Sequence, residues 1–161
     1  MTGLSAPAGP GAYAPDVLVL GVGNLLVGDE GVGVHALRAL ETEIWPVHVR
    51  LVDGGTGGFQ LLDLVRTSPR VILIDAICDG SAPGTVGQFH ARVATDFPPV
   101  LGAHDIGLRD LIATAALLGP LPEIEVITVS VTELKPMTLE LSALVAAALP
   151  EVSRRVRALV G

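Results

Sequence analysis

Cysteine occurs once in 161 residues, at Cys78. That excludes an internal disulfide and a cysteine-rich metal cage, fits a reducing compartment and makes the cytoplasm the expected location. Aromatics are scarce as well, with one Trp, one Tyr and three Phe, so there is little surface on which bases or sugars could stack. Positive charge is also short. Ten Lys and Arg stand against 17 Asp and Glu, for a net charge of -7, and the only basic cluster is Arg154, Arg155 and Arg157. Nucleic acid is therefore not an expected partner. Half of the residues are hydrophobic, yet Gly, Pro, Asp or Arg interrupts them after roughly four to eight positions, well short of the ~20 that span a bilayer. No membrane association is expected. Residues 1–15, MTGLSAPAGPGAYAP, lack the basic start and apolar stretch of a signal peptide and read as a flexible Ala/Gly/Pro leader, ahead of a single domain over 16–161.

What is present alternates between strand and helix. VLVLG (17–21) and VILIDAI (71–77) are continuous aliphatic runs, the pattern of strands covered on both faces. VHVRLV (47–52) alternates apolar and polar before the glycine turn DGGTGG, and EIEVITVSV (123–131) alternates too. TVGQFHARV (85–93) reads as an edge strand that can run antiparallel. Helical spacing links Val32, Ala36, Leu37, Leu40 and Ile44, then Leu108, Leu111, Ile112, Ala115 and Leu118, then residues 138–160, with a short helix expected near 58–67. This order predicts a three-layer α/β sandwich: a central sheet of about five strands, mainly parallel or mixed, flanked by helices on both faces.

The stretch VLVLGVGNLLVGDEGVGVHAL (17–37) runs a strand into glycines, as a nucleotide-binding loop does. The dinucleotide pattern G-x-G-x-x-G from Gly21 fails at Leu26, and a Walker loop from Gly23 reaches Gly28 only to meet Asp29 and Glu30 where Lys and Ser/Thr are required. Both phosphate readings set Glu30 beside an anion. A loop that presents carboxylate to a cation fits better, with the helix start holding the acid ionised. Taken by themselves, Asp29 is a helix cap and Glu30 a solvated first-turn acid.

Asp53 and Asp75 also fall at strand C-terminal ends, which line the ligand crevice of an open α/β sheet. Asp75 follows VILI directly and should be desolvated, needing a metal, a backbone N–H or a protonated neighbour as partner. Of the four histidines, His35, His48 and His90 fall inside expected elements and read as packed or surface residues. His104, in LGAHDIGL, precedes a helix in a loop and is free to swing into the crevice. Glu30, Asp75 and His104 would form a mixed oxygen and nitrogen set suited to Zn, Mn, Fe or Ni. Cys78 reads as a small buried hydrophobe, and the serine pattern G-x-S-x-G is absent.

Taken together and in this order, GVGNLLVGDEGVG, VDGGTGG, LIDAI and AHDIGL resemble the hydrogenase maturation endopeptidases, which trim the large subunit of nickel-iron hydrogenases. The resemblance extends over residues 17–160. It implies an α/β protease domain, with a metal held by Glu30, Asp75 and His104. It further implies that this metal is nickel already placed in the immature large subunit, so that the isolated enzyme need carry none, although other divalent cations can occupy the site in vitro. The implied partner is that subunit's precursor, the implied reaction a nickel-dependent cleavage of aspartic or metal-assisted type, and the acting unit a monomer. Asp53 is the candidate base or water-orienting acid, and Gly54, Gly55, Gly57 and Gly58 would let an extended tail approach the backbone. The alternative is a non-catalytic module that binds metal or nucleotide through the same crevice, such as a metallochaperone.

Overall fold

The computed structural model of the protein describes residues 16–97, 106–132 and 137–161. Five strands form one sheet: β1 (Val17–Val22), β2 (Val49–Gly55), β3 (Arg70–Ile77), β4 (Val86–Ala91) and β5 (Glu123–Ser130), in the order β2-β1-β3-β5-β4. All neighbours are parallel except β4 and β5, which run antiparallel, so the sheet is mixed only at that edge. Helices α1 (Val32–Glu41), α2 (Leu62–Thr67), α3 (Ile106–Leu118), α4 (Ala143–Ala146) and α5 (Leu149–Val160) cover it.

Strand alternation sorts the side chains into two cores. Ile72, Ile74 and Ala76 of β3 pack with α1, α4 and α5 through Leu37, Leu40, Val145, Val152 and Val156. Val71, Leu73 and Ile77 pack with α2 and α3 through Val65, Leu111 and Ile112 on the other face. This explains the unbroken apolar run of β3: a strand between two helical layers has no wet side. Each fully buried Leu or Ile contributes about 1.5–3 kcal/mol, and β1, β3 and β5 carry most of them. The expected three-layer α/β sandwich is the observed one.

Local departures have physical causes. The strand expected over 47–52 runs instead from Val49 to Gly55, which leaves His48 outside it and puts Asp53 inside. Ile44 is 92% exposed, because α1 ends at Glu41 and Trp45, not Ile44, packs back on the core, its indole N–H donating to Leu40 O at 2.8 Å. The helix expected over 138–160 is two helices, α4 and α5, preceded by an irregular stretch from 137. Pro150, at the first turn of α5, restarts the helix where its missing N–H costs nothing.

The chain order sets the location of a crevice. From β1 it passes to β2 on one side, then returns across the sheet to β3 on the other. The C-terminal ends of β1 and β3 therefore flank a topological switch point, the place where open α/β sheets bind ligands.

Candidate functional site

Glu30 lies at this switch point, in the 3-10 turn Gly28–Gly31 between β1 and α1. Its position follows from close backbone approach. A Cβ on Gly33 would come within 2.2 Å of both Ile74 O and Val22 O, so only glycine lets α1 lie so tightly over the ends of β1 and β3. Gly23, at φ 140°, turns the chain where a Cβ would meet Glu30 O at 2.2 Å. Glu30 is 1% exposed. It is therefore not the solvated first-turn acid that its position beside a helix start suggests.

Asp75, near the end of β3, is fully buried, and its Oδ1 accepts the Ala76 N–H at 2.8 Å. Sharing the parity of Leu73 and Ile77, it projects toward the α2 and α3 face. Cys78 follows at the rim, exposed and not buried as expected, because β3 ends at Ile77 and the chain turns out to solvent. Partial desolvation and the nearby Glu30 and Asp79 carboxylates raise the pKa of its thiol and keep it neutral. The turn that carries Glu30 packs against β3.

Asp29 does not cap α1, whose N-terminus has no side-chain cap. Its carboxylate reaches across the chain to Ser142, accepting the backbone N–H at 2.7 Å and the hydroxyl at 2.8 Å. Thr138 adds backbone bonds to the same loop, accepting from Gly28 N–H at 2.7 Å and donating to Leu26 O at 3.1 Å. The turn that carries Glu30 is thus stapled to residues 138–142. No sequence pattern announces this tie, since its partners are 113 residues apart.

Asp53 is exposed in β2. Its Oδ1 accepts the Gly55 N–H at 2.9 Å, and its Oδ2 lies 3.8 Å from Arg38 of α1. That contact, and its pairing in register with Gly21, set it on the α1 face, opposite to Asp75. One strand, β1, separates the two, a lateral distance of roughly 10 Å.

His104 lies outside the described residues. Among the described residues no three His, Cys, Asp or Glu side chains form a group that could hold a metal ion. Two of the expected ligands, Glu30 and Asp75, are brought to the same end of the sheet. Of the other histidines, His90 is on the surface with its Nδ1 2.9 Å from Glu125, and the half-buried His35 has its Nε2 3.1 Å from Leu139 O. Neither joins the acids.

Known proteins match this chain and its fold. The family model of the hydrogenase maturation proteases fits residues 34–158, a span that takes in Asp53 and Asp75 and begins just past Glu30. The hydrogenase expression/formation protein HupD of Thiocapsa roseopersicina is 42% identical over 116 residues, 68% of this chain and 51% of that protein. The hydrogenase 2 maturation protease of Escherichia coli (strain K12) is 37% identical over 110 residues, 66% of this chain and 67% of that protein. The chain spans about half the length of the first of these relatives. Among solved structures, the hydrogenase maturating endopeptidase HybD from E. coli superposes with a TM-score of 0.82 at 33% identity, covering 89% of this chain and 91% of that one. With the family model matched over most of its length and a solved member sharing its fold, the chain belongs to the hydrogenase maturation protease family.

Proposed function

We propose that the protein is an endopeptidase that removes the C-terminal extension of the immature large subunit of a nickel-iron hydrogenase. It recognises the nickel already held by that subunit through Glu30, Asp75 and His104. The observation that carries this reading is the burial of two carboxylates, Glu30 and Asp75, at the switch point. Two carboxylates held together at one end of the sheet offer hard oxygen donors to a divalent cation delivered by the substrate. The family of the chain supports the same substrate class.

In this reading Asp53 performs the acid–base chemistry. Its exposed carboxylate takes a proton from a water as the water oxygen adds to the scissile carbonyl carbon, then returns that proton to the amide nitrogen as the C–N bond breaks. The Gly55 N–H holds one carboxylate oxygen in place. Nickel, held on the other side of β1, acts as the anchor that sets which peptide bond lies over Asp53. The acting unit is a monomer in the cytoplasm.

The test is the mass of a precursor large subunit after incubation with the protein. Loss of a C-terminal peptide from the nickel-loaded precursor, and none from the nickel-free one, is the expected outcome. An unchanged mass accompanied by nickel transfer to the protein sinks the peptidase and leaves the metallochaperone.

A further inference from the structure

A groove of about 470 Å³ opens at the same rim, bounded by Gly28 and Asp29 on one side, Pro83 on another, and Glu140, Leu141 and Leu144 along its length. Its walls are fixed. The Asp29 bonds to Ser142 hold one side. On the other, Gly84 donates to Ser130 O at 2.8 Å and lies so close to α4 that a Cβ would meet Leu144 O at 2.3 Å. Leu144 is 62% exposed, and beside the groove Leu139 is 60%, Met137 86% and Leu26 54% exposed. These last three are contiguous, because Thr138 bridges to Val27 in the loop that bears Leu26. Among the described lining residues the only charged ones are Asp29 and Glu140. A fixed, partly apolar concavity with Glu140 exposed at its rim, beside the candidate site, has the anatomy of a protein-docking hot spot.

We infer that this groove docks the folded body of the large-subunit precursor, through an apolar surface element of that subunit bearing Arg or Lys. The inference rests on the reading given under Proposed function and specifies how the partner is held. Lateral order along the sheet identifies the occupant. Asp53 lies on β2, to one side of the switch point, whereas the groove runs from the Gly28–Asp29 loop of the switch point to the chain that follows β3 and β5, on the other side. A substrate gripped by its nickel in the middle sends its C-terminal tail toward Asp53, so the groove is left to the part of the subunit on the far side of the metal. The exposed Glu140 at the rim complements a basic partner surface and repels an acidic one.

The test is binding, measured separately from cleavage. The probes are the nickel-loaded precursor of the same organism's large subunit and the same nickel-loaded precursor without its C-terminal extension. Both are expected to bind wild-type protein within threefold of each other. Leu144→Asp and Leu139→Asp are each expected to weaken both complexes tenfold or more, and Glu140→Lys several-fold with a smaller loss at high salt. Leu117→Asp, at an 87% exposed position on α3, should change nothing. All four positions are solvent-exposed, so the variants should melt as wild type does. Unchanged binding by both leucine variants, no binding by wild type, or binding lost with the extension overturns the inference; the last outcome assigns the groove to the tail instead. If the precursor docks as described but keeps its mass, the endopeptidase reading fails while the docking surface stands.

Discussion

Glu30, Asp75 and Asp53 are all carboxylates, but they sit in different surroundings, and the proposed reading assigns them different work. The first two are withdrawn from water at the end of the sheet, while Asp53 keeps one oxygen on a backbone N–H and the other near Arg38, in reach of solvent. Substitutions should separate these roles. Glu30→Gln or Asp75→Asn is expected to lower nickel-dependent cleavage by roughly 100-fold or more, through loss of precursor capture, since even groups behind metal ligands are worth 10- to 100-fold. Asp53→Asn is expected to capture nickel-loaded precursor normally yet cut it roughly 100- to 10,000-fold more slowly. Mass spectrometry and a binding assay on the same samples check both, and wild-type cleavage by Asp53→Asn removes that residue from the chemistry. Asp75 was legible as a candidate because it follows an apolar run that must end at a strand terminus, and Glu30 because an acid stands where a phosphate loop requires Lys or Ser/Thr. The tie from Asp29 to Ser142 and the exposure of Cys78 were not. The first joins distant parts of the chain, and the second depends on where β3 stops within a run that stays apolar up to that point.

Among the elements, α1 does most to assemble the site, and it does so through backbone contact. Gly33→Ala would drive a methyl group against Ile74 O and Val22 O, both backbone atoms that cannot rotate away. Destabilisation of about 1–3 kcal/mol is expected, with cleavage lost at temperatures where the fold still persists; denaturant unfolding measures the first and precursor processing the second. Helix α5 offers an electrostatic test. Side-chain bonds from Arg154 and Arg155 pull the Glu151 carboxyl from its ordinary 4.5 down to about 2. A depressed folded value means that the stabilisation is complete above pH 4.5 and fades as pH falls toward 2. Glu151→Gln should therefore melt below wild type at neutral pH, with the gap closing across that acid window and narrowing with salt. Sequence periodicity located α1 and α5 but merged α4 with α5, because apolar spacing continues through 143–160 and only the backbone reveals that the helix restarts at Pro150.

For the whole molecule, the doubly covered sheet is the rigid frame and its rim carries the candidate site. Native-state hydrogen exchange should be slowest at Val71–Ala76, where β3 is flanked by β1 and β5 and buried on both faces, and faster along the edge strands β2 and β4. Slow exchange at the edges equal to that of β3 would contradict this ordering. The three layers were legible in the sequence because continuous apolar runs and helical spacing alternate along it. The placement of Asp53 and Asp75 on opposite faces was not, since it depends on strand register, which becomes visible only once β2 is seen to run through Asp53.

Cys78, the sole cysteine of the chain, stands exposed three residues beyond Asp75. A thiol-reactive fluorophore would attach there without any other cysteine to remove, giving an optical reporter at the threshold of the crevice whose emission would follow the arrival and departure of the proposed client subunit in real time.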